Sequence, residues 1–365
     1  MLLWFLSGIV AALYSCQISR SQQNLSCEET WFLRGCYIIA SMQVAMTLLL
    51  SLKIYTTWTQ CIILGIPWLF VLKDVIPLHK QISRPSFKPS WHHIFLPLFA
   101  LGYIWYATPP PWMRDSLTYH LALAKQYAIS GKYIDTDFIV FSHFPQGWQS
   151  VLTAIHTPSV GTALFNPRYL SVAITIGTAL GLFGWIKRHT DSQEWALTAA
   201  CLYLLTPSVI EFGTSCYVQP WLTAVCFWLA MKLYSKASWT SIGFLTGLAC
   251  SLKYSALIIP VLILPLSYLR EKQPRNCFQF LLGVLGVGLF FYIRNLIHTG
   301  NPFFPLMYDL FGGEGWDSWR AEAYDYTLKS YGFGREFQDY ILLPIRMFST
   351  MNMSQYAQGS LGVGW

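Results

Sequence analysis

The chain has 365 residues, of which 54% are hydrophobic, 17% aromatic and 11% charged, with a formal net charge of +7. An ordinary soluble domain carries roughly 25% charged residues, so the composition excludes that class and points to an integral membrane protein. The basic excess would suit nucleic acid in a soluble chain. Here the basic residues fall between apolar segments, where lipid and topology account for them, and no nucleic-acid partner is expected.

Crossing a ~30 Å hydrocarbon layer takes about 20 helical residues. Lipid cannot satisfy open backbone groups, and the apolar runs lack strict alternation, so they read as helices and not as barrel strands. In chain order the expected spans lie near 2–16, 34–52, 59–77, 93–108, 168–186, 195–210, 216–233, 239–252, 254–269 and 277–297, with another beginning near 341. The fold class is therefore all-α, a polytopic transmembrane helix bundle of about 10–11 spans. The segment from Leu2 to Tyr14 lacks a basic leading region and a small-residue cleavage site, so a removable signal peptide is not expected. Nine cysteines sit mostly in or beside apolar runs without CxxC spacing and read as small core residues. The chain stops at Trp365 shortly after a span begins, as a truncated sequence would.

Lys80, Arg84 and Lys88, then Lys187 and Arg188, Lys232 and Lys236, and Arg270, Lys272 and Arg275 can all lie on the cytoplasmic side. That orientation requires 147–165 to be a juxtamembrane or re-entrant helix, which Pro158 and Gly161 allow. Two long external loops result, 109–167 and 298–340, and the second carries seven acids against three bases. Loops of this length in a compact chain are usually functional.

The first external loop holds "RDSLTYHLALAKQYAISGKY", residues 114–133. Leu117, Leu121, Ala124 and Ala128 make one helical stripe, the pattern of an amphipathic juxtamembrane helix lying flat on the surface with its polar side up. Asp115 heads it, either as a simple N-cap or as a general base toward a hydroxyl. Tyr119 and His120 lie one turn on, and His120 is a hydrogen-bond partner or a metal ligand beside Asp115. Lys253, in "SLKYSAL", and Arg294, in "YIRNLIHTGNPFFP" with Asn295 beside it, are cations at or near the outer face, where snorkelling competes with a functional role. Glu211 is a further ionisable candidate, a solvated loop acid in the plainer reading. His143 and Gln146, in "FSHFPQGWQ", are candidates to line an acceptor pocket, although that stretch also reads as an interfacial Pro-Gly turn. "GVLGVG", residues 283–288, follows no strand, so it reads as close helix packing and not as a nucleotide loop. Gly300 and Pro302 read as a helix terminator.

With these pieces in order, the chain from about residue 93 onward resembles bacterial members of the GT-C superfamily of polytopic glycosyltransferases, related to protein O-mannosyltransferases and aminoarabinose transferases. The resemblance rests on the first-loop acid and its helix, on "HFPQGWQ", on "SLKYSAL" and on "RNLIHTGNPFFP". It implies a GT-C-like catalytic module at 93–365 preceded by extra transmembrane helices at 1–92. It also implies Asp115 as catalytic base, a polyprenyl-phosphate-linked sugar as donor, and Lys253 and Arg294 as holders of the lipid phosphate. The family's frequent acidic pair is absent, because Arg114 and Ser116 flank Asp115.

The expected function is transfer of that sugar to a hydroxyl of a glycan, lipid or protein acceptor, at the outer face of a bacterial inner membrane. No cofactor is required by this reading, and a divalent metal stays open. Two alternatives stand beside it: a polytopic transporter or lipid flippase, and a non-catalytic membrane protein that keeps the fold.

Overall fold

A computed structural model describes residues 25–65, 92–136, 138–270, 272–330, 336–339, 341–342 and 345. The expected span at 2–16, most of those at 59–77 and beyond 341, and the basic cluster of Lys80, Arg84 and Lys88 lie outside the described residues. Every regular element described is helical, with no strand among the described residues.

The first long helix, α1 (Cys27–Leu52), starts with a reciprocal cap. Ser26 Oγ accepts from the Glu29 amide at 3.1 Å, and Glu29 Oε2 accepts from the Ser26 amide at 2.9 Å. Glu29 is fully buried and also holds Arg188 through two contacts of 2.8 and 2.7 Å. Arg188 lies in the last turn of α5 (Arg168–Thr190), so α1 begins where α5 ends. At its far end α1 leads to Tyr55, whose hydroxyl donates to the Thr153 and His156 carbonyls. Glu29→Gln leaves the Arg188 guanidinium without its anion and is expected to cost about 3 kcal/mol, read as thermal unfolding in detergent.

Between these long helices lie α2 (His92–Ala107), α3 (Leu121–Ser130) and α4 (Gly147–Ala154). All eight residues of α4 are buried. At 1.5 Å per residue it reaches only about 12 Å, far short of a bilayer crossing, in keeping with a juxtamembrane or re-entrant piece. After α5 come α6 (Gln193–Leu205), α7 (Pro207–Gly213), α8 (Gln219–Tyr234), α9 (Trp239–Cys250), α10 (Ile258–Leu269), α11 (Pro274–Gly288), α12 (Phe290–Thr299), α13 (Tyr308–Phe311) and α14 (Ser318–Ser330).

Among the described residues two helices, α1 and α5, are long and apolar enough to cross a membrane, and the number rises to four if each bent pair counts as one span. The pairs are α6 with α7, bent by 66°, and α11 with α12, bent by 58°. Pro207 accounts for the first break, since it has no N–H to continue the ladder. The apolar helices α2, α9 and α10 are 16, 12 and 12 residues long and fall short of the span test. These lengths suit membrane association. Two of the expected spans are interrupted within the described residues, the run at 195–210 at Thr206-Pro207 and the run at 277–297 at Leu289.

One core unites α1, α3, α4, α8, α9 and α11, with Met46, Leu123, Trp148, Trp221, Leu248 and Phe280 fully or almost fully buried. Thus α1, from the segment before residue 92, packs in the same core as the helices that follow. A polar seam crosses this core. Gln43 donates to Ser251 Oγ at 2.7 Å and accepts from the Trp221 indole at 2.6 Å. Helices α9 and α11 meet backbone to backbone: a Cβ on Gly243 would collide with the Phe280 carbonyl oxygen, and one on Gly247 would lie 2.5 Å from that of Val284. Gly283 and Gly288 supply the facing surface and so serve helix packing, while a Cβ on Gly286 would meet nothing within 4 Å. Gly243→Val is expected to destabilise by about 2 kcal/mol or more through this overpacking, measured as lost thermal stability in detergent.

Candidate functional site

Asp115 lies at the head of the helical stretch that leads into α3, and the first five residues after it are π-helical, Ser116–His120. The Leu121 amide reaches back five residues to the Ser116 carbonyl. Such one-turn π distortions concentrate at functional sites. The extra residue re-phases the helix. Ser116, His120, Leu123, Ala124, Tyr127 and Ala128 turn inward, while Leu117 is left 49% exposed. The expected stripe therefore survives at Ala124 and Ala128, with Leu121 partly buried against the core, and the polar His120 belongs to the buried face, correcting the picture of a helix with its polar side uppermost. Gly131, in the left-handed region at φ 67°, closes the helix.

Asp115 is itself in helical conformation and its side chain makes no cap hydrogen bond. This corrects the cap reading, because a residue that has already entered the helix presents its carboxylate elsewhere. Its Oδ2 accepts from the Tyr119 hydroxyl at 3.3 Å. Burial, and then the Asp115 charge, raise the pKa of that hydroxyl. Tyr217 approaches from the turn before α8, its hydroxyl pushed up to about 12 by burial and by Asp115, against a hydrogen bond to the Asp115 backbone. Glu211, half-buried in α7, adds its charge to Tyr217 and so borders the same cluster.

Lys253 lies between α9 and the short helical turn Tyr254–Leu257. Its side chain is exposed at the surface, yet close enough to protein that burial lowers the pKa of the ammonium, and the Asp115 charge opposes that shift. The structure thus brings Asp115, Tyr119, His120 and Lys253 together, four of the nine sequence-derived candidates, with Glu211 at their border. His120 is buried, with Nδ1 3.1 Å from the Gln149 amide nitrogen and its ring 4.2 Å from that of Tyr119. The amide nitrogen can only donate, so Nδ1 accepts and the ring proton sits on Nε2. Burial, and then Lys253, lower the His120 pKa to about 3.

A depressed histidine pKa carries a signed consequence. The unfolded chain takes up the His120 proton from about pH 6.5 downward while the folded one refuses it until about 3. Stability tied to His120 is therefore complete above about pH 6.5 and drains away as the pH falls toward 3. His120→Gln is expected to flatten this acid limb in a series of unfolding curves from pH 7 to 4.

The other candidates gather in a neighbouring cluster. Arg294 is 7% exposed and pairs with Asp135, donates to the Ser142 carbonyl at 3.1 Å and lies 5.5 Å from the Tyr133 ring centroid. Its charge is thereby already matched, unlike that of the phosphate holder expected from the sequence. Asn295 donates to the His143 carbonyl at 2.5 Å and to the Tyr254 hydroxyl at 2.9 Å. Gln146 is fully buried, its amide donating to the Phe141 and Phe144 carbonyls and accepting from Tyr127 at 3.2 Å. With every end engaged, Gln146 shapes the 141–146 loop and does not line an open pocket. His143 lies 3.6 Å from Asp135 and packs on Phe304. The two clusters share this loop: Phe141 stacks on Tyr119 at 4.3 Å while Ser142 takes Arg294.

Sequence reasoning missed three participants. Asp135 was a second acid in the same external loop, hidden by attention to the loop's first. Tyr217 carries no signal in a chain this rich in aromatics. Arg168, read only as the edge of a span, is 2% exposed and donates to the carbonyls of Tyr106 at 2.8 Å, Pro109 at 2.9 Å, Pro110 at 3.5 Å and Thr214. It ties the proline run before Asp115 to the turn before Tyr217. Ser116 Oγ adds a second tie, accepting from the Cys216 amide at 3.1 Å. Among the described residues no group of three or more His, Cys, Asp or Glu is arranged to hold a metal.

A family described as a domain of unknown function, DUF8201, matches residues 148–353. No curated protein and no solved structure matches the chain.

Proposed function

We propose, for a chain that belongs to the family of the domain of unknown function DUF8201, the activity of a membrane glycosyltransferase with a GT-C-like polytopic bundle. It takes a sugar from a polyprenyl-phosphate donor and gives it to an acceptor hydroxyl on a glycan, lipid or protein, at the extracytoplasmic face of a bacterial inner membrane. The observation that carries this reading is that Asp115 and Lys253 are close enough for the carboxylate charge to act on the ammonium. The carboxylate has an exposed cation nearby and neutral aromatic and imidazole groups around it.

In this reading the acceptor oxygen attacks the anomeric carbon while Asp115 takes its proton. The bond from that carbon to the phosphate oxygen breaks, its electron pair leaves with the polyprenyl phosphate, and Lys253 meets the charge that develops there. Single displacement inverts the anomeric centre. Arg294, engaged by Asp135, supports the site's walls, which leaves Lys253 as the principal phosphate group. Lys253→Ala is expected to raise the KM for the donor about tenfold or more, through a lost charge-assisted contact, in an assay of released polyprenyl phosphate. An unchanged KM would remove Lys253 from the donor site.

A second reading is supported by the two broken helix pairs, since discontinuous helices mark the substrate sites of many transporters. The bends of 66° and 58° fall at Thr206 and Leu289, whereas Asp115 and Lys253 gather elsewhere. Movement of a lipid-linked sugar across vesicles without release of polyprenyl phosphate would favour this reading. Neither release nor movement would favour a non-catalytic role.

A further inference from the structure

We propose that His298 and Asp135 form a second ligand subsite, in which the outer edge of the His298 imidazole accepts a hydrogen bond from a sugar hydroxyl of the acceptor. The inference deepens the glycosyltransferase reading and rests on it for the identity of the ligand as acceptor. The geometry stands without it.

His298 Nδ1 lies 2.6 Å from Asp135 Oδ2. A carboxylate can only accept, so Nδ1 carries the hydrogen and the opposite nitrogen, Nε2, presents a lone pair. The residue belongs to the last turn of α12, which Gly300 ends in the left-handed region at φ 76°. That ending leaves the His298 side chain 48% exposed, while Asp135 is 29% exposed. The other oxygen of Asp135 takes Arg294, one helical turn before His298, and Arg294 is held from behind by the Ser142 carbonyl and the Tyr133 ring. Asp135 is thus fixed from two directions, and it fixes the imidazole in turn.

Charge decides what the edge recognises. Arg294 already balances Asp135, so His298 is not needed as the counter-ion, and the trio with a neutral imidazole sums to zero. A neutral trio offers little to an ammonium group and little to a phosphate. A lone-pair nitrogen held at a fixed angle suits a neutral hydroxyl. Behind the pair the packing is aromatic: Phe304 lies against His143 with ring centroids 4.8 Å apart, and Tyr133 lies against Arg294, which keeps the Asp135 side of the imidazole in place. Beside the pair lie Arg294 on α12 and His143 from the 140–146 loop, whose Nδ1 is 3.6 Å from Asp135 Oδ1. Glu314 donates its backbone amide to the Thr299 carbonyl at 2.8 Å just beyond.

The test is nitrogen-15 NMR of histidine-labelled protein in detergent, with the His298 signal assigned by its disappearance in His298→Gln. Methyl α-mannoside and methyl β-glucoside serve as probes. At pH 8 the expected result is a Nδ1–H tautomer whose Nε2 resonance shifts saturably with at least one probe. In Asp135→Asn the half-saturating concentration rises at least about fivefold, the effect of losing one hydrogen bond. An Nε2–H tautomer at pH 8, an Nε2 resonance indifferent to both probes, or equal saturation in wild type and Asp135→Asn would each overturn the proposal. No turnover is needed for this readout. Failure of the donor assay with intact saturation of the His298 resonance counts against the transferase reading alone, and the reverse outcome counts against the subsite alone.

Discussion

Asp115→Asn is expected to leave the protein folded and to lower transfer from a polyprenyl-phosphate sugar at least about a hundredfold, the scale of a lost general base. The structural side of this expectation follows from what Asp115 does not do. Its side chain caps no helix and accepts one long hydrogen bond, from Tyr119 at 3.3 Å, which an amide oxygen can also accept. The amide cannot take a proton from an attacking hydroxyl. Thermal stability unchanged to within about 0.5 kcal/mol, as for a substitution away from any structural feature, together with collapsed turnover, is therefore the signature. A variant that unfolds would show that Asp115 is structural. A variant with full turnover would move the base elsewhere, and Asp135 is then the first place to look.

Arg168→Ala is expected to have the opposite profile, with stability and turnover falling together. The guanidinium is buried and satisfies carbonyls from residues 106, 109, 110 and 214 with one planar fork. Removing it orphans those acceptors at a cost on the order of 3 kcal/mol or more. It also frees the segment that aims Asp115. Arg168→Lys is expected to recover only part of the loss, since an ammonium cannot present the same fork. The measurement is thermal unfolding in detergent beside turnover. Equal stability of wild type and Arg168→Ala would contradict the bracing role.

Much of the helical order was legible because apolar runs and their punctuation are dictated by the solvent. The helices at 27–52, 168–190, 219–234 and 239–250 fall where the runs fall. Breaks within runs were less legible. Pro207 is a visible interruption, but the bend at Leu289 has no proline and depends on packing. The π turn at Ser116–His120 is also hidden, because a one-residue insertion leaves no compositional trace while it rotates the stripe so that His120 enters and Leu117 leaves. At the site, charged residues near apolar ends drew attention to Asp115, Lys253 and Arg294. Pairing is a property of three dimensions, so the sequence could not reveal that Arg294 is spent on Asp135, 159 residues away. Nor could it reveal that Gln146 turns inward to hold its own loop.

The most direct test of the central claim is an assay of the full-length chain with a panel of polyprenyl-phosphate sugars and a mixed pool of hydroxyl acceptors, reading released polyprenyl phosphate for wild type and Asp115→Asn. The account predicts release by wild type with at least one donor, dependent on the acceptor and lost in the variant. Release that is equal in both proteins, or no release from any donor, would contradict it.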